Sequence, residues 1–131
     1  MRTIRGCRTF QCASTMLPNR RVKVDPSNPL GVIYAGATDV AIGVSDGFPS
    51  PGPTTSPGNP TWQISVINNR TEDGVSIEAN DTIAQNASCY GSANGRVSNS
   101  SAYSAVLVGT NFAANVVAGA NADIWYAPTG S

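Results

Sequence analysis

The sequence predicts a mostly β protein, a single small β-sandwich or barrel-like domain with an extended N-terminal arm. Three observations predict it. β-branched residues fall in short runs of alternating phase, as in WQISVI from Trp62 to Ile67. Gly and Pro, with 13 and 9 copies, punctuate the chain throughout. Leucine, the commonest helix-core residue, occurs only at positions 17, 30 and 107.

Residues 1–19 mix Arg, Cys, Gln, Ser and Thr without strand or helix periodicity and close on Pro18, which reads as an arm that orders on a partner. Residues 20–131 then form the β domain. Its first strand is the basic and apolar alternation Arg20 to Val24, stopped by the turn sequence DPSNP. GVIYAG and DVAIGV follow as two further strands. Five prolines between Ser45 and Pro60 predict an exposed loop over about 45–60, because proline supplies no ladder donor. WQISVI and GVSIEA, separated by NNRTED, predict a hairpin with its tip at Asn68 to Gly74. Asn94-Gly95 predicts a second hairpin between SCYGS and RVSNS, since both residues tolerate positive φ. A weak helical pattern spans Thr110 to Val117, and Asp123 to Ala127 is the last apolar strand. The period-two positions Val22, Val24, Ile33, Val40, Ile42, Ile64, Val66, Val75, Ile77, Val106, Val108 and Ile124 are the expected core.

Charge is distributed unevenly although the formal net charge is zero. Arg2, Arg5, Arg8, Arg20, Arg21 and Lys23 all precede the first acid, Asp25, and from there on eight acids face only Arg70 and Arg96. Nucleic acid is disfavoured as a partner, because the acidic body repels phosphate and the leader has Phe10 as its only ring.

Most site chemistries lack their residues. The chain has no histidine, which removes the usual general base near neutral pH and the commonest transition-metal ligand. Glu72 with Asp73, and Glu78 with Asp81, are the nearest carboxylate pairs, and both fall at turns or strand ends where acids serve local hydrogen bonding. Cys7, Cys12 and Cys89 match no zinc spacing, and no glycine-rich phosphate loop opens a helix, so no metal, cofactor or catalytic activity is expected. The N-terminus has no continuous apolar run of a secretory signal, and no stretch approaches the roughly twenty apolar residues of a membrane helix. The reading is a protein made in the cytoplasm with reduced thiols. Four N-x-S/T triplets, at Asn69, Asn80, Asn86 and Asn99, are expected by chance in a chain this rich in Asn, Ser and Thr.

Three segments in order carry a family resemblance. They are a strand at Arg21 to Val24 followed by AGATDVAIGV from Ala35 to Val44, then DTIAQNASCYGSANGRVS from Asp81 to Ser98, then VLVGTNFAANVVAGANADIWYA from Val106 to Ala127. In this order the chain resembles the head-decoration, or capsid cement, proteins of tailed phages. The proline-rich segment from Phe48 to Pro60 departs from the family as an insertion. The resemblance implies a virion structural protein without catalytic residues, bound to the outer capsid surface and stabilising contacts between major capsid subunits. It implies a homo-oligomer, a trimer in preference to a dimer. Another virion role, as a small coat, head-fibre base or tail protein, is the alternative. The expected capsid-binding arm comprises Arg2, Arg5, Arg8, Phe10, Arg20, Arg21 and Lys23.

Overall fold

A computed structural model describes residues 7–56, 59–68 and 74–126. Ten strands among these residues form two closed or nearly closed sheets, which agrees with the expected mostly β, barrel-like class. The first is a five-stranded barrel in the order β1-β3-β2-β4-β5. Its strands are β1 (Cys7–Gln11), β2 (Arg21–Asp25), β3 (Asn28–Tyr34), β4 (Gly43–Ser56) and β5 (Asn59–Asn68). The second sheet has the order β6-β10-β9-β7-β8. It consists of β6 (Val75–Glu78), β7 (Ser88–Gly91), β8 (Val97–Ser98), β9 (Leu107–Asn111) and β10 (Asn121–Tyr126). It curls until Ala79, just past β6, bridges Val97 of β8, so neither edge is left open there.

Local chemistry sets the turns. Between β2 and β3 the Asp25 carboxylate accepts the Ser27 N–H at 2.8 Å, an Asx turn that also brings Asp25 opposite Asn28. Between β7 and β8, Asn94 and Gly95 adopt φ of 57° and 75°, and the Ser92 N–H donates to the Arg96 carbonyl at 3.0 Å. The expected Asn-Gly hairpin is therefore formed, with Ala93 added to its loop as part of a short 3₁₀ turn.

Each sheet has its own core. Met16, Val22, Val32, Ile64 and Val66 fill the barrel, flanked by Phe10, Cys12 and Tyr34. Ile77, Ala79, Ile83, Cys89, Val97, Val108, Val116, Ala122 and Ile124 fill the second sheet. The two are packed on each other through β4 and β5. Val44 and Ile67 pair across these strands and so share a face, the one opposite Val66, and both pack on the second core. Backbone bonds reinforce the junction, with the Asn19 carbonyl accepting from Glu78, Ala35 from Gly95 and Ala37 from Val106, each at 2.9 Å.

Several expectations are corrected. Val24, Ile33, Val40 and Ile42 are exposed rather than core. Ile33 follows inward-facing Val32 and so points out, and Val24 lies where the β2–β3 register slips. Val40 and Ile42 precede β4 in a turn, not a strand, and Val40 is 77% exposed. WQISVI and GVSIEA do not form a hairpin. Both edges of β5 are already taken by β1 and β4, so β6 pairs with β10 in the other sheet.

The proline-rich segment is not a free loop up to Ser56. β4 runs through it, pairing Ser50 with Gln63 and Pro51 with Trp62, with register slips between Asp46 and Ser50 and between Pro51 and Thr54. Beyond Ser45, which still exchanges backbone bonds with Asn19 and Arg20, no described strand pairs with β4 on its β2 side, so missing proline donors cost it nothing there. Thr110 to Val117 forms no helix. β9 continues to Asn111, and Val116 bridges Ile83.

The arm boundary at residue 19 also moves. Residues 7–19 belong to the barrel: Cys7–Gln11 pairs residue by residue with β5, Gln11 pairs with Gly31 of β3, and Met16 is buried. This strand is closed by β5 partners from 52 positions away, at Gln11 and Gln63, to 60, at Cys7 and Ile67, which no local periodicity announces.

Candidate attachment faces

The residues expected to form one basic arm separate into three environments. Arg2 and Arg5 lie outside the described residues. Arg8, on β1, is exposed, and its guanidinium carbon sits 5.6 Å from the centre of the Phe10 ring. Arg8 and Phe10 border a 220 Å³ depression completed by Thr9, Gln11, Pro29, Leu30 and Gln63. Leu30 stands 65% exposed at its rim. This face combines a cation, an aromatic ring and an aliphatic side chain, the mixture that anchors protein interfaces.

Arg20, Arg21 and Lys23 serve the fold and not an arm. Arg20 is buried, donating to the Asn94 carbonyl at 3.0 Å and to Glu78 Oε2 at 3.1 Å, with Tyr34 beneath its guanidinium at 5.5 Å. Arg21, also buried, donates to the carbonyls of Gly36 and Asp39 and so pins the turn that leads into β4. Lys23 pairs with Asp39 at 2.9 Å. The Lys23 bond, then the Gly36 N–H, holds the Asp39 carboxyl below its ordinary value.

A second face lies where the two sheets meet. Val44, Ile67 and Val75 line a 260 Å³ cleft together with Asn19, Ser45, Asp46, Gly74, Ser76, Phe112 and Asp123. Ser76 donates its hydroxyl to Asp123 Oδ1 at 2.6 Å. Phe112 leans on Trp125 with ring centres 5.2 Å apart and planes tilted by 35°. Gly74 makes that wall possible. Its φ is 77°, and a Cβ there would come within 2.9 Å of Trp125 Cδ1 and 3.1 Å of Phe112 Cε2. Sequence reasoning does not single out this cleft. The signal it offers is Asp123 within the apolar run NADIWY, a carboxylate close to a tryptophan that alternation turns outward.

Of the two carboxylate pairs, Glu72 and Asp73 lie outside the described residues, and Glu78 and Asp81 are engaged in structure. Glu78 holds Arg20 and lies 3.2 Å from Arg96 Nε. Asp81 accepts the Ser98 hydroxyl at 2.7 Å and the Asn99 N–H at 3.0 Å. Burial raises the Cys12 thiol and pushes Cys89 up to about 11, the reverse of an activated nucleophile. Among the described residues no group of three or more His, Cys, Asp or Glu is placed to hold a metal ion, and no helix is long and apolar enough to cross a membrane. Comparison of the chain with protein-family models, with curated proteins and with solved structures gave no match.

Proposed function

We propose that this chain is a virion structural protein that settles on the outer surface of an assembled phage capsid and stabilises contacts between neighbouring major capsid subunits. The partner class comes from the sequence resemblance to head-decoration proteins. One structural observation carries the bridging role: exposed apolar side chains are divided between the two sheets, with Leu30 65% exposed on the barrel and Leu107 and Trp125 53% and 58% exposed on the second sheet. A protein that joins two neighbours needs two faces held at a fixed separation. Two sheets packed through Val44 and Ile67 supply that rigidity.

Attachment on this reading begins at the Arg8, Phe10 and Leu30 face, where a guanidinium seeks a carboxylate and the apolar side chains lose water. Arg2 and Arg5 precede this face in sequence and make the start of the chain more basic. Each copy adds contacts to two subunits, so parting those subunits requires breaking the added contacts as well. Association of the copies with one another, as trimers, makes attachment multivalent and slows release by roughly 10²-fold or more.

The test is to mix the purified chain with undecorated capsids, image the particles by electron microscopy and measure capsid melting. Ordered density at subunit junctions on the outer surface, with a raised melting temperature, is the expected result. Closed particles built by the chain alone would instead identify a coat protein, and density confined to the tail or the capsid interior would overturn the reading.

A further inference from the structure

The acidic cleft between the sheets has no part in the attachment just described, and its chemistry is specific. Its floor is aliphatic, from Val44, Ile67 and Val75, while Asp46 and Asp123 both line it and none of the described lining residues is basic. Asp46 is exposed and makes no ion pair among the described residues. Asp123 is bonded at one oxygen by Ser76 and keeps further accepting capacity, since an ionised carboxylate offers about four lone-pair sites. Phe112 lines the cleft as well, and its ring centre lies 5.2 Å from that of Trp125, which is 58% exposed.

We propose that this cleft is a binding site for an arginine side chain presented by an extended basic segment of a partner protein. Charge complementarity selects the occupant: two carboxylates with no basic residue among the described lining favour a cation over a neutral ligand such as a sugar. The aliphatic floor suits the methylene stem. The aromatic pair favours guanidinium over ammonium, because a planar, weakly hydrated cation stacks on a ring face while its N–H fork meets a carboxylate. The chain's own described arginines do not supply the occupant, as Arg20, Arg21 and Arg96 bond inside the body and Arg8 lies against Phe10. The inference stands on the cleft alone and survives if the capsid reading fails.

The test titrates the full chain with the peptide acetyl-Gly-Arg-Gly-amide and with its neutral citrulline counterpart, following the Trp125 indole and the Gly74 and Ser76 amides by ¹H–¹⁵N NMR. The arginine peptide is expected to move these resonances, and the citrulline peptide to bind at least tenfold more weakly. Asp46→Asn combined with Asp123→Asn should weaken the arginine peptide at least tenfold while leaving the rest of the spectrum in place, because the amide oxygen introduced at position 123 can still accept the Ser76 hydroxyl. Equal affinity for the two peptides, or shifts confined to other residues, would overturn the proposal. A neutral oligosaccharide that moves the same resonances more strongly would also overturn it. So would a gain in peptide affinity in the Arg2→Gln, Arg5→Gln variant or in Arg70→Gln, which would give the cleft to one of the chain's own arginines.

Discussion

Arg20 and Glu78, 58 positions apart in sequence, meet at 3.1 Å and tie the entry to the barrel to the end of β6 in the second sheet. The Arg20 side chain is only 4% exposed and Glu78 26%, and the same Oε2 lies 3.2 Å from Arg96 Nε. One carboxylate thus balances two guanidiniums. Removing it leaves Arg20 charged and largely dry, a loss of several kcal/mol for a fully buried pair that partial water access at Glu78 reduces. Glu78→Ala is expected to lower stability by about 2 kcal/mol, and Glu78→Gln by less. Urea denaturation midpoints measure both, and an unchanged midpoint in the alanine variant would remove the pair from any stabilising role.

Asn111 is fully buried at the end of β9, where its amide donates to the Ala84 and Ala114 carbonyls, both at 3.3 Å, and its oxygen accepts from Ala113 at 3.3 Å. An isosteric leucine strands these groups without a partner. Asn111→Leu is expected to cost about 2–3 kcal/mol, as each orphaned buried group costs about 1–3. Asn111→Asp should be worse at neutral pH and recover partly in acid, because only the protonated carboxyl can donate to a carbonyl. Thermal melts at pH 4 and pH 7 distinguish the two variants.

Asp39 gives the fold an acid-sensitive element. Its folded value lies below the ordinary 3.8, chiefly through the Lys23 bond, so the contribution is present above 3.8 and is lost as pH falls through the lowered folded value. In Asp39→Asn that contribution is absent at every pH. The gap in melting temperature between wild type and variant should be widest near neutrality and should narrow below about pH 4. A gap that stays constant across this range would show that Asp39 acts through its shape rather than its charge.

Cys89 is buried in the second core, with its thiol pushed up to about 11. At pH 8 it is protonated and shielded, so alkylation should wait on opening of the sheet. Iodoacetamide labelling of Cys89, followed by peptide mass spectrometry across a urea series, should track global unfolding. Rapid labelling in the absence of denaturant would mean that the second sheet opens on its own.

For attachment, Arg8→Gln combined with Leu30→Ser removes the cation and the most exposed aliphatic side chain of the barrel face without touching either core. Capsid binding should weaken by at least about tenfold, or roughly 1.4 kcal/mol. The arginine's share should shrink in high salt, where exposed charges are screened. Co-sedimentation at two salt concentrations reads both effects.

The strands are largely legible in the sequence because each carries its own signal. β2, β3, β5 and β6 are marked by β-branched residues, β10 by the apolar run Ile124 to Ala127, and the β7–β8 turn by Asn94-Gly95. What stays hidden depends on partners remote in sequence. Cys7–Gln11 has no strand periodicity and becomes a strand only because β5 offers it an edge. In Ile33, Val40 and Ile42, neighbouring apolar residues erase the contrast between inner and outer phase, so period two cannot choose a face. Arg20 and Arg21 read as part of the capsid-binding arm because nothing in RRVKV reveals that carbonyls from residues 36, 39 and 94 converge on them. The expected arm divides accordingly. Arg8 and Phe10 share a face, whereas Arg20, Arg21 and Lys23 do not join it. The cleft is invisible at the level of sequence because its lining comes from six separate segments of chain.

The strand order sets a timetable for synthesis. β1 must wait for β5 before the barrel can close, and β10, which lies between β6 and β9, is the last of the described strands to be made. Until the ribosome has passed residue 126, β6 and β9 have no strand to join them, and Ile77, Val108 and Cys89 have no complete core to enter. A nascent chain therefore carries these apolar segments uncovered for much of its synthesis, and the order of strands, rather than any weakness of the finished fold, sets how long they stay exposed.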